Sequence, residues 1–215
     1  WDVSTSSFVD SFKTQPQDND TRDVKFNLNG KKMFVLGKQN DRVCEYLLTA
    51  GFDVSTASFV DCFDISSEET QPNELVFNPE GTKMFVVGND GNDVNEYTLS
   101  TAFDVSTASF VDSFDVSSQE NKTFGLAFNF YGTKMYVTGW TGDDINEYTL
   151  TTAFDVSTAS FVGSFSVKSE DEKPTSLEFS SDGSKMFVLG AIGKDVNEYT
   201  LSCYYGVVNC TDPTS

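Results

Sequence analysis

The chain has 215 residues, 38% hydrophobic and 14% aromatic, with twenty Phe, enough apolar matter for a sizeable core in one or a few compact units. Thirty-three acidic residues against 14 basic ones give a formal charge of -19. The basic residues are scattered, so phosphate backbones and anionic lipid surfaces are repelled and nucleic acid is excluded as a partner.

No apolar run approaches the ~20 residues that span a bilayer, which argues against membrane insertion. The chain does not start on Met, and it reads as a processed or excised segment of a soluble protein. It opens on "WDVSTSSFVD", and near-copies of that phrase start at residues 52, 103 and 154. The same period of 51 aligns "KKMFVLG", "TKMFVVG", "TKMYVTG" and "SKMFVLG" and brings Met33, Met84, Met135 and Met186 into register. Glu45, Glu96, Glu147 and Glu198 fall into register too. A repeat of this length marks stacked supersecondary units.

Each unit reads as four short strands, typified by "ELVFN", "KMFVV", "VNEYTL" and "SFVDCFDI". The turns between them are punctuated by "NPEG", "GNDGND" and Ser/Thr/Asp-rich linkers. No window carries sustained helical periodicity. The fourth strands fall at about 6–13, 57–65, 108–116 and 159–167, and the last unit ends in "DVNEYTLS" with no fourth strand after it. The expected fold is therefore an all-β propeller of four four-stranded antiparallel blades, with the N-terminal strand completing the last blade and hiding two sheet edges. The propeller takes residues 1–202, with blades at about 14–65, 66–116, 117–167 and 168–202 plus 1–13, and leaves 203–215 as a tail.

The phrases "FNPEGTKMFVVG" and "VNEYTLSTAFDVSTASFV" resemble the bacterial and phage propeller repeats related to the YVTN, NHL and WD types, and the resemblance covers nearly the whole chain. It implies a propeller repeat and no particular activity. Many such propellers have about six to eight blades. Two alternatives to a ring closed within one chain therefore stay open: an arc completed by a second chain, or a first strand passed to a neighbour.

Cys44 stands where the other repeats have Asn, and Cys62 where they have Ser. The two are equidistant from a hairpin turn centred near Asp53, which favours a cross-strand disulfide; Cys203 and Cys210 would close a second loop. Four cysteines paired in this way point to an oxidising, secreted or extracellular setting. Sequons at Asn19, Asn121 and Asn209 fall in expected loops or the tail and are candidates for glycosylation.

The chain has no histidine, which removes Ser/His/Asp and Cys/His machinery and leaves paired carboxylates as the catalytic route. No catalytic residue, resident metal or cofactor is assigned; calcium is the one cofactor considered, with Asp90, Asp93, Asp143 and Asp144 as its candidate ligands in the acidic loops. Trp140 occurs in one loop only and is the candidate for a ligand face. The expected function is a non-enzymatic extracellular module, structural or adhesive, which self-associates or binds an extracellular protein or glycan. A fibre or surface layer is one form of that expectation, and the alternative is a carbohydrate-binding or carbohydrate-active propeller using the acidic loops and Trp140.

Overall fold

The computed structural model describes residues 5–208 and forms an all-β propeller of four antiparallel blades. The first holds β1 (Thr21–Phe26), β2 (Lys32–Gly37), β3 (Arg42–Leu48) and β4 (Ala57–Asp64). The second holds β5 (Pro72–Phe77), β6 (Lys83–Gly88), β7 (Asp93–Leu99) and β8 (Ala108–Asp115). The third holds β9 (Thr123–Phe128), β10 (Lys134–Gly139), β11 (Asp144–Leu150) and β12 (Ala159–Ser166). The fourth holds β13 (Pro174–Phe179), β14 (Lys185–Gly190) and β15 (Val196–Thr200). Strands run in meander order within each blade. First strands lie side by side from β1 to β13, on the inside, while β4, β8 and β12 are largely exposed on the outside.

The repeated phrases each have a local task. In "FDVST", Phe52, Phe103, Phe154 and the equivalent Tyr205 sit at positive φ, between 55° and 61°. Each ring covers a glycine, at 30, 81, 132 or 183, whose own positive φ and missing side chain let the ring approach. The next residue, as at Asp104, caps a 3-10 turn by accepting from the Ser106 N–H at 3.1 Å and the Ser106 hydroxyl at 2.6 Å. In the first three blades a β-bulge falls between the Glu and the Tyr of "EY" on the third strand, so that Glu96 and Tyr97 oppose three residues of β8.

The core lies between blades. Phe34, Leu36 and Val43 of the first blade pack with Leu75, Met84 and Val86 of the second, and the same pattern joins the second blade to the third and the third to the fourth. Each junction also carries a buried ion pair. Glu96 bonds Lys83 at 2.5 Å and accepts from the Val156 N–H of the next blade at 2.9 Å, while Lys83 donates to the Phe154 carbonyl at 2.6 Å. Glu45 with Lys32 and Glu147 with Lys134 repeat the arrangement.

The N-terminal segment does not complete the last blade. Among the described residues the fourth sheet has three strands, and residues 6–14 take no regular secondary structure. Phe12 instead packs edge-on against Tyr46 of the first blade, with ring centroids 5.2 Å apart. The reason is geometric: no contact like that of β1 with β5 joins β13 to β1, so the first and fourth blades stand apart as the ends of an arc.

Cys44 faces Cys62 across β3 and β4, and the two are disulfide-bonded. Cys203 is also disulfide-bonded, while Cys210, its expected partner, lies outside the described residues. Among the described residues, no helix is long and apolar enough to cross a membrane.

Candidate functional site

The first strands line the inside of the arc, and there the repeat breaks down. Their sequences read "TRDVKF", "PNELVF", "TFGLAF" and "PTSLEF". Residues alternate across a strand, so the positions of Asp23, Lys25, Glu74, Ser176 and Glu178 share one face, and on these four strands that face looks inward. A cavity of about 300 Å³ is lined by Arg22, Asp23, Asn73, Glu74, Phe124 and Ser176, together with Thr175 and Leu189.

Glu74 is the centre of this cluster. Its Oε2 accepts from the Leu126 N–H at 2.9 Å, and its Oε1 lies 3.4 Å from Lys25 Nζ and 3.5 Å from the Ser176 hydroxyl. Asp23 bridges the preceding pair of strands in the same way, accepting from the Leu75 N–H at 3.0 Å and pairing with Lys25 at 3.2 Å. Glu74 is 5% exposed. Burial raises its carboxyl to about 7, and the Lys25 ammonium and the Leu126 N–H only partly oppose this. Burial works against the Lys25 ammonium, but Asp23, Glu74 and Glu178 outweigh it and hold that group above the ordinary lysine range. A carboxyl poised near neutrality beside a fixed positive charge can take up a proton and also steady a developing negative charge.

The acidic loops on one face of the arc are largely structural. Glu69 is buried between two loops and accepts from the N–H groups of Gln71 at 2.6 Å and Asp90 at 3.2 Å; burial raises its carboxyl while these bonds pull it back. Glu120 ties its own pair of loops by the same means. The calcium candidates lie in two successive blades and have local partners. Asp90 accepts from the Thr70 hydroxyl at 2.7 Å, and Asp143 pairs with Lys168 at 3.0 Å. Asp93 and Asp144 accept from the side-chain amides of Asn95 and Asn146. Among the described residues, no three His, Cys, Asp or Glu side chains gather as a metal site.

Trp140 stacks on Phe124, with centroids 4.2 Å apart and planes 15° from parallel, and Lys173 Nζ stands 4.7 Å from its ring. It thus backs Phe124 in the cavity wall. Among the described residues, its buried indole N–H has no hydrogen-bond partner. Asn19 and Asn121 are exposed in loops, and Asn209 lies outside the described residues.

Sequence reasoning passed over Asp23, Lys25 and Glu74. No acidic pair unique to one blade and flanked by apolar residues stands out along the chain. The signal was the disagreement between first strands in a chain whose second and third strands barely change.

No protein-family model matches the sequence, and no curated protein sequence matches it. Solved structures do. A Bacteroides uniformis protein named "putative 6-phosphogluconolactonase" superposes at a TM-score of 0.64 with 12% identity, over 84% of this chain and 50% of that one. The Pseudomonas aeruginosa periplasmic gluconolactonase gives 0.59 and 16% over 87% of this chain and 52% of its own. A β-propeller domain from Myceliophteria thermophila gives 0.59 and 12% over 85% and 54%. At these identities the likeness shows the propeller fold alone, and the chain spans about half the length of the proteins it matches. The expectation of a non-enzymatic structural or adhesive module is nonetheless corrected: similar propellers include proteins named as lactonases, and the inner strands hold a chemically equipped cavity.

Proposed function

We propose that the inner-strand cluster is the active site of a hydrolase that opens a small sugar-acid lactone. The observation that carries this reading is Glu74, a buried carboxyl raised to about 7 in the wall of a polar cavity. As general base, Glu74 takes a proton from water while the water oxygen bonds to the lactone carbonyl carbon. The Lys25 ammonium offsets the charge on the carbonyl oxygen. The ring C–O bond then breaks, and the proton held by Glu74 passes to the departing ring oxygen, giving a hydroxy acid. Arg22, paired with Asp20 at 2.8 Å, stands at the cavity rim, where a carboxylate or phosphate on the substrate would compete for its guanidinium. The neighbours named as lactonases support the substrate class, and the YVTN, NHL and WD-like repeat phrase suits a scaffold of this kind. We place the protein outside the cytoplasm; the Cys44–Cys62 disulfide supports that setting.

The test is hydrolysis of gluconolactone followed in a pH-stat against the uncatalysed rate. Wild-type kcat should rise with pH through about 7, and Glu74→Gln should lower it on the order of 100-fold or more, the usual worth of a positioned general base. Hydrolysis no faster than in buffer, or equal rates for the two proteins, overturns the proposal.

A further inference from the structure

The two ends of the arc are complementary to each other. On the fourth blade, Leu189 and Val196 are 45% and 62% exposed, whereas their equivalents Leu36, Val87, Val43 and Val94 are fully buried by the next blade. The ion pair there, Lys185 with Glu198 at 2.5 Å, has side-chain exposures of 45% and 51%, against 27% and 2% for Lys83 and Glu96. On the first blade, Val24 is 50% exposed, whereas its equivalents Leu75, Leu126 and Leu177 are buried against the preceding blade. An open groove marks each end: Leu177, Phe187, Leu189 and Val196 line one, and Phe12, Val24, Val35 and Val54 line the other.

The N-terminal segment already occupies part of a missing blade. Phe63, Phe114 and Phe165 on the outer strands each pack edge-on against a third-strand tyrosine of the next blade, Tyr97, Tyr148 and Tyr199, at 5.5 Å. Phe12, one repeat earlier, packs against Tyr46 in the same manner. Residues 6–13 therefore lie where the outer strand of a preceding blade would lie, and among the described residues β15 is an edge strand beyond which the fourth sheet has no outer strand.

We propose that a second copy of this chain supplies that preceding blade, and that two copies join head to tail at two identical junctions to close a ring of eight blades. At each junction, residues 6–13 of one copy add to β15 of the other as its fourth strand. Val24 then covers Phe187 and Leu189. By the spacing of the internal junctions, Glu198 meets the backbone N–H of Val54, and Lys185 meets the carbonyl of Phe52. Every contact repeats one already made three times within the chain, so the interface continues an established one. Two copies match the extent of longer relatives in structure, since this chain superposes on about half the length of each. A heterologous contact whose rotation closes gives a ring and not a filament. The inference does not rest on the catalytic reading, although Leu189 belongs both to the cavity wall and to the junction.

Two measurements test it. Light scattering on the chain at micromolar concentration should give twice 23.7 kDa, and the double variant Leu189→Glu, Val196→Asp should halve that mass while keeping the circular dichroism spectrum, since both side chains are exposed in the single chain. A wild-type monomer overturns the proposal and leaves the place to further blades of a longer chain. An open series of larger assemblies, or a variant that stays dimeric, overturns it too. In the second measurement, Ser11→Cys is combined with Asn197→Cys, the positions equivalent to Cys62 and Cys44. Air oxidation should link two chains on a non-reducing gel, and a cross-link confined to one chain overturns the proposal.

Discussion

The second strands and the first strands of the blades obey different rules. Lys32–Gly37, Lys83–Gly88, Lys134–Gly139 and Lys185–Gly190 are almost one sequence, and in the first three blades every residue after the lysine is buried. The first strands hold a steady apolar side toward the neighbouring blade, Leu75, Leu126 and Leu177, while the other side changes from Asp23 to Glu74 to Gly125 to Ser176. Packing between near-identical blades forces one solution on the second strand, because its two faces meet the same neighbours each time. The inner wall has no such neighbour, so its residues are free to answer to chemistry. Repetition marks the scaffold, and departure from it marks the site.

Breaking the repeated part should cost most. Glu96→Ala removes a buried carboxylate, leaving Lys83 without its counter-charge and the Val156 N–H without an acceptor. Urea unfolding should show a loss of about 3–4 kcal/mol, the scale for breaking a buried pair by taking one partner. Leu126→Ala opens a cavity between the second and third blades, where Leu126 is 1% exposed. The expected loss is roughly 2–3 kcal/mol. If both variants unfold at wild-type urea concentrations, the blades are not held by these junctions.

The first blade offers a way to sharpen the contrast, because there a structural network was exchanged whole. In the second blade Asn95 donates to Asp93 at 2.8 Å, and Ser113 also bonds Asp93. In the first blade the three positions are Cys44, Arg42 and Cys62, and a disulfide replaces the polar set. Replacing the bond with Cys44→Asn and Cys62→Ser should cost about 2 kcal/mol, near the usual worth of a short disulfide loop. Adding Arg42→Asp should restore part of it, since the Asn then regains its acceptor. Calorimetric Tm values for the double and triple variants decide the matter, and a triple variant no more stable than the double one rejects the exchange.

Much of the fold is legible in the sequence because it is written four times. The Met register, the "EY" pair, the turn phrases and the Cys44–Cys62 pairing each follow from aligning the chain with itself. What could not be read was relative position. Whether Phe12 turns toward β15 or toward Tyr46 depends on the angle between blades, which no residue type encodes locally. The acidic loop residues Glu69 and Glu120 are fully buried, against the usual exposure of carboxylates, because their partners are backbone N–H groups that leave no mark in composition. The inner cluster was hidden for another reason: Asp23, Lys25 and Glu74 come from two strands 49 to 51 residues apart and form a group only when the blades turn around a common axis.

The smallest effect expected also separates scaffold from site most cleanly. Glu74 has its carboxyl raised from 4.5 to about 7 in the folded chain. A raised carboxyl means the folded state binds the proton more tightly than the unfolded one. Its contribution to stability is therefore fully present below about pH 4.5 and is lost as pH climbs through about 7. Glu74→Gln keeps a neutral group of the same shape at every pH. At pH 8 the variant should be more stable than the wild type by about 1–2 kcal/mol, less than the full shift implies because Lys25 then loses one of its partners. Near pH 5 the two should converge. Paired urea titrations at the two pH values read this directly. A variant that is less stable at both would show Glu74 to be part of the scaffold, like Glu96, whereas a gain confined to high pH, together with lost lactone hydrolysis, is what a residue kept at a cost to stability for its chemistry should show.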